Sequence, residues 1–216
     1  MTAKEFISTL QIIAQEYSKA IPKREIFSLA KEFQQMPVPE VIKLLQNESD
    51  DHRIGAVSIL DWKARNKKTS DIEKEAIYRA YIDNHQWIDD WGLVDRAAPY
   101  VVGGYLYDKS RKPLYQLAKS QNPLERRTAM VSTYYFIRKN DIEDTFKLAE
   151  MLVHDSHKSV QTAVGSWVRE AGKRDELKLK SFLDKYAETM PRITLRYAIE
   201  KFDRQTKDYY LGVQSK

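Results

Sequence analysis

Trp91, Asp95 and Arg96 place an indole, a carboxylate and a guanidinium within six residues, near the middle of a 216-residue chain. If Leu93 to Ala98 is helical, Trp91 and Asp95 lie four residues apart and share one face. A carboxylate beside an indole face can receive a cation. The same residues also suit an ordinary helix start, with Asp89 and Asp90 as N-cap candidates and Trp91 packed inward. Taken alone, the stretch leaves both readings open.

Much other site chemistry is excluded by composition. The chain has no cysteine, so disulfides, thiolate catalysis and Cys-ligated zinc or iron–sulfur centres are ruled out. It has no glycine-rich phosphate loop and no G-x-S-x-G elbow. His154 and His157, with Asp155 between them, have the spacing of a metal pair. They fall at a helix-to-helix turn with no clear third ligand, so neither a metal nor a cofactor is expected. Carboxylates, arginines and aromatics remain. Trp62, Trp87, Trp91, Trp167 and 13 tyrosines offer either core or stacking surfaces, and core is the default for Tyr134-Tyr135-Phe136.

The bulk properties describe a globular chain, 42% hydrophobic and 31% charged. Its net charge of +5, from 36 basic and 31 acidic residues, permits a polyanionic partner without requiring one. The first 19 residues read as an amphipathic helix rather than a signal peptide. No apolar run approaches the ~18 residues that span a bilayer. A soluble, cytoplasmic protein without a membrane partner is expected.

Helical periodicity recurs along the chain. Ile7, Leu10, Ile13, Ala14 and Tyr17 mark a first helix, ended by Ile21-Pro22. Further helices are predicted over 23–35, 40–45, 52–65 and 72–84. After the Trp91 stretch they continue over 113–120, 125–139, 141–154, 159–172, 175–186 and 191–202, with Gly172 as a C-terminal cap. No period-two alternation or hairpin signal is present. The chain reads as all-α. One domain is expected over 1–216, with divergent helices over 1–49, repeats over 50–202 and a C-terminal tail over 203–216.

The predicted helix starts repeat. His52-Arg53-Ile54-Gly55-Ala56-Val57, Glu125-Arg126-Arg127-Thr128-Ala129-Met130, Ser159-Val160-Gln161-Thr162-Ala163-Val164 and Pro191-Arg192-Ile193-Thr194-Leu195-Arg196 each follow a polar turn. Ala129 and Ala163 are 34 residues apart, and Ala98 and Ala129 are 31 apart. That period suits stacked helix pairs, an α-α superhelix of HEAT-like repeats. Its second helices would line a concave face with Arg53, Arg96, Arg126, Arg127, Arg169, Arg192 and Arg196. Arginines at helix starts are otherwise solvated surface; their recurrence favours a basic groove for a nucleic-acid backbone.

Four segments in order carry a resemblance. Trp91-Gly92-Leu93-Val94-Asp95, Glu125-Arg126-Arg127-Thr128-Ala129, Ala163-Val164-Gly165-Ser166-Trp167-Val168-Arg169-Glu170 and Leu195-Arg196-Tyr197-Ala198-Ile199-Glu200-Lys201 together resemble the DNA alkylation repair proteins of the AlkD type, HEAT-like-repeat alkylpurine DNA glycosylases. The resemblance covers roughly residues 50–202. It implies hydrolysis of the N-glycosidic bond of cationic N3- or N7-alkylated purines in duplex DNA. A monomer is expected separately, because a solenoid's binding surface is complete in one chain. The resemblance implies that Asp95 is the catalytic carboxylate, that Trp91 packs on the lesion's deoxyribose, and that Arg127 holds the backbone nearby. Extrusion of the base into a deep pocket is not required.

One departure stands out. The best-studied members carry a second site tryptophan directly after the glycine matching Gly165, where this chain has Ser166. Trp167 lies one position on, about 100° around a helix. A non-catalytic relative binding damaged or branched DNA, and a protein-interaction scaffold, are therefore carried as alternatives.

Overall fold

The computed structural model describes residues 1–213, and every regular element among them is helical. The chain divides into two compact units, Met1–Tyr105 and Leu106–Lys216.

The first unit holds α1 (Ala3–Ala14), α2 (Lys23–Glu32), α3 (Val38–Leu45), α4 (Asp50–Arg65), α5 (Asp71–Ile82) and α6 (Trp91–Ala98). Helix α4 is its hub, packing on α2, α3, α5 and α6. It is buried on nearly every side from Gly55 to Asp61, as a helix enclosed by others must be. At Gly55 a methyl group would strike the Phe6 ring, so the missing side chain lets α1 lie against the α4 backbone. Helices α2, α4 and α6 form one row; α1, α3 and α5 form the other.

Helix α1 is fixed by a capping box, in which Glu5 N–H donates to Thr2 Oγ1 at 3.2 Å and Thr2 N–H donates to Glu5 Oε2 at 2.8 Å. It stops at Ala14, short of the predicted end near Ile21. Gln15, Glu16 and Tyr17 bond three residues back, the tighter turn that closes a helix. At the end of α6, Pro99 lacks an N–H and the coil widens to a π turn over Pro99–Gly103.

A short turn, α7 (Gly104–Leu106), leads the chain into the second unit. That unit contains α8 (Lys112–Leu117), α9 (Pro123–Ile137), α10 (Glu143–Leu152), α11 (Lys158–Gly172), α12 (Glu176–Tyr186), α13 (Arg192–Ala198) and α14 (Arg204–Val213). Helices α9, α11 and α13 pack side by side, with α8, α10 and α12 as the second row. Both units are thus stacks of helix pairs, the α-α repeat expected from the periodicity.

Two details differ from the sequence reading. The tail is helical over Arg204–Val213: Tyr210 of α14 is buried against Phe202, and its hydroxyl donates to Asp184 at 2.9 Å. Gly172 does not cap by a left-handed turn, because no glycine among the described residues has positive φ. It permits close approach instead, since a methyl there would collide with Leu179 of α12. The left-handed position belongs to Asn140 (φ 60), which turns the chain between α9 and α10. Among the described residues, no helix is long and apolar enough to cross a membrane.

Candidate functional site

Asp90 starts α6: its Oδ1 accepts the Gly92 N–H at 2.7 Å. Asp89, the other cap candidate, pairs with Arg53 at 3.2 Å. Helix α6 buries Leu93, Val94, Ala97 and Ala98. This turns Trp91 and Asp95 toward the opposite side. Trp91 is 56% exposed, so it does not pack inward, and Asp95 is half-buried. An exposed indole and a half-buried carboxylate one turn apart can together receive a cation.

What holds α6 in place is ionic. Asp61 of α4, wholly shielded from solvent, accepts Arg65 Nε on both oxygens at 2.8 Å and pairs with Arg96 Nη1 at 3.1 Å. Burial pushes the Asp61 carboxyl above its ordinary pKa despite these partners, and burial lowers the Arg96 guanidinium. Arg96 Nε donates to Ser58 Oγ at 3.0 Å, and its guanidinium lies 4.7 Å from the Phe27 ring centroid. Arg96 is therefore a strut between α6 and α4. The sequence reading missed Asp61, Arg65 and Ser58. The spacing of Asp61 and Arg65 was the available signal, a carboxylate placed in an otherwise apolar run one turn before an arginine.

The remaining arginines fare differently. Arg53 donates through Nη1 to the Asn47 and Glu48 carbonyls at 3.0 and 3.1 Å, and its Nη2 pairs with Asp50 and Asp89. In the second unit, Arg126 donates through Nη1 to the Ser120 and Gln121 carbonyls at 2.9 and 3.0 Å and grips Asp155 with Nε and Nη2. The sequence places both on a basic groove; in the structure both guanidinium groups are occupied within the helical framework. Arg127 is 6% exposed and donates to the Ser159 carbonyl and to Thr162 Oγ1 at the start of α11. Arg169 pairs with Glu200. Arg192 donates to the Leu211 carbonyl at 2.8 Å from an exposed position, and Arg196 is exposed.

Trp167 is half-buried, its ring 5.0 Å from that of Tyr134 on α9. Ser166 precedes it and is also half-buried. Gly165 lets α11 and α13 meet backbone to backbone, because a methyl there would collide with the Thr194 carbonyl and Tyr197 Cβ. Trp91, Asp95, Arg96 and Arg53 thus belong to the first unit; Arg126, Arg127, Trp167, Arg169, Arg192 and Arg196 belong to the second.

The histidine pair serves other purposes. His154 Nε2 lies 2.9 Å from Thr189 Oγ1, and His157 caps α11, its Nδ1 accepting the Ser159 N–H at 3.3 Å. No group of three or more His, Asp or Glu side chains suited to a metal occurs among the described residues. A cleft of roughly 410 Å³ borders the α6 start, lined by Lys23, Asp50, Asp51, Arg53, Asp89 and Asp90 among others. Trp91 and Asp95 are not among its walls.

Comparison with protein families adds one finding: the profile described as "DNA alkylation repair enzyme" matches residues 9–202. The match reaches well into the first 49 residues, where the motifs alone predict divergent helices. The comparison with curated proteins returned no match.

Proposed function

The chain belongs to the DNA alkylation repair enzyme family, and we propose that it acts as a glycosylase on cationic N3- or N7-alkylated purines in duplex DNA. The observation carrying this reading is the exposed Trp91 one turn from the half-buried Asp95, on a helix fixed by the pairing of Arg96 with the buried Asp61. An alkylated purine already bears positive charge, so its departure needs little acid catalysis. The C1′–N bond breaks, its electron pair passes to the purine, and the sugar takes on oxocarbenium character. Asp95 stabilises that cation and orients water, whose oxygen bonds to C1′ as its proton is released. The indole face of Trp91 favours the same positive charge.

Among the arginines of the second unit, the exposed Arg192 and Arg196 are assigned to the DNA strand, and Arg127 and Arg169, bonded to the start of α11 and to Glu200, are assigned to positioning that surface. Trp167 is turned onto Tyr134 rather than standing where Ser166 is, and this favours a second reading, a DNA-binding relative without catalysis.

Single-turnover assays on a duplex with one N7-methylguanine separate the two. Wild type should release the base and Asp95→Asn should not, with duplex affinity retained by both. Binding without release by wild type would overturn the catalytic reading in favour of the second.

A further inference from the structure

Asp95 stands on a helix whose regular backbone ends one turn later. Helix α6 has eight residues, and Pro99 follows with no N–H for the ordinary bond four residues back. The coil then widens, and Gly104 N–H bonds the Pro99 carbonyl five residues back. A short helix running into such a turn is not held at one rotation by its own ladder. Rotation nevertheless matters. A side chain carried about 5–6 Å from the helix axis moves about 1 Å for a turn of about 10°, and a misplacement of about 1 Å can cost ~100-fold in rate.

Two contacts with α4 set that rotation. Arg96 and Tyr100 lie one turn apart, on the stripe next to that of Trp91, Asp95 and Pro99. Arg96 reaches Asp61 through Nη1 at 3.1 Å and Ser58 through Nε at 3.0 Å. Tyr100 receives Arg65, whose guanidinium stands over its ring, 3.7 Å from the centroid. Asp61 holds that guanidinium as well, accepting Arg65 Nε on both oxygens at 2.8 Å. One buried carboxylate thus fixes the helix at two points, the residue after Asp95 and the residue after Pro99.

We propose that Arg65 and Tyr100 are positioning residues for Asp95, completing with Asp61 and Arg96 a two-point clamp that sets the rotation of α6. A strut at Arg96 alone leaves the helix able to pivot about that side chain. The second point, one turn on, removes the pivot. Arginine suits this task because its planar guanidinium gives an N–H edge to the carboxylate and a face to the ring at once, which an ammonium does not. The use of the clamp rests on the base-releasing reading; its existence does not.

The test compares Tyr100→Leu, Arg65→Gln and Tyr100→Phe in the full chain. Three readouts are taken: single-turnover release of N7-methylguanine, duplex affinity across a KCl series, and the carboxyl 13C resonance of Asp95, assigned by Asp95→Asn. Tyr100→Leu and Arg65→Gln should each slow release at least about tenfold with duplex affinity and salt slope unchanged. Both should move the Asp95 resonance and leave that of Asp155, in the second unit, in place. Tyr100→Phe keeps the ring face and should behave as wild type. Release kept by folded Tyr100→Leu and Arg65→Gln, whatever their melting temperatures, overturns the proposal, as does Tyr100→Phe as slow as Tyr100→Leu. Weaker duplex binding by Arg65→Gln with a shallower salt slope also overturns it, by making Arg65 a phosphate contact. If wild type releases no base, the glycosylase reading falls and the Asp95 resonance alone decides: movement in the first two variants sustains the clamp, and none in either overturns it.

Discussion

Arg53 and Arg126 are the same device in two different units. Each guanidinium donates to the carbonyls six and five residues back, closing the turn before its helix. Each then reaches a carboxylate in the following turn, Asp89 for Arg53 and Asp155 for Arg126. Gln161 repeats part of the pattern, donating to the Asp155 carbonyl six residues back at 2.8 Å. The recurrence of basic residues at helix starts is therefore, at these two positions, a way of tying one helix pair to the next.

The cost of breaking that tie is testable. Asp155 is 6% exposed in its side chain, so Arg126→Gln strands a buried carboxylate and two carbonyls. Denaturant unfolding should show a loss of about 3 kcal/mol, while the salt dependence of DNA binding stays as in wild type. Unchanged stability together with a shallower salt slope would place Arg126 on DNA after all.

Glycines separate packing from chain flexibility. Gly165→Ala forces α11 away from α13 and should destabilise the protein by about 1–3 kcal/mol. At Gly212 of α14 nothing stands within 4 Å of an added methyl group. Gly212→Ala should therefore stabilise by about 0.5 kcal/mol, because alanine orders more readily in a helix. Thermal unfolding of the two variants reads both signs in one experiment.

The pattern of the chain disclosed some of these features and concealed others. Asp90 announced the start of α6, and period-3.6 apolar residues announced the helices. The outward face of Trp91 was not legible, because an indole at a helix start suits core and surface equally. Asp61 was hidden for a related reason. Its charge is matched by Arg65 one turn away and by Arg96 on another helix, and only tertiary contact reveals the second partner. Gly172 reads as a cap because a glycine at a helix end looks the same in sequence whether it bends the chain or admits Leu179. The helix over Arg204–Val213 depends on Tyr210 reaching Phe202 and Asp184, contacts that its own residues do not encode.

Asp61 should leave a signature in acid. Burial raises its folded pKa above the ordinary 3.8, so the folded state binds the proton more tightly than the unfolded chain does. Its contribution is therefore most favourable below 3.8 and declines as pH rises through the raised value. The stability of wild type relative to Asp61→Asn should fall across that window and then level off. Urea unfolding over a pH series measures this, and a difference that grows with pH would mean that its arginine partners outweigh burial.

Trp91 and Trp167 make the sharpest contrast between site and scaffold. Trp91 is 56% exposed, so Trp91→Ala should change stability by no more than about 0.5 kcal/mol. If its indole faces the sugar as positive charge develops, single-turnover base release should fall at least about tenfold, equivalent to ~1.4 kcal/mol of transition-state stabilisation. Affinity for undamaged duplex should change little, since that charge is absent before the bond breaks. Trp167→Ala should behave in the opposite way. Its contact with Tyr134 is worth about 1 kcal/mol beyond the area it buries, so stability should drop while release from folded protein is largely kept. A loss of release in Trp167→Ala at unchanged stability would restore Trp167 to the site and make Ser166 an incidental difference. Equal release by Trp91→Ala and wild type would leave Asp95 without its aromatic partner and shift the balance toward the non-catalytic reading.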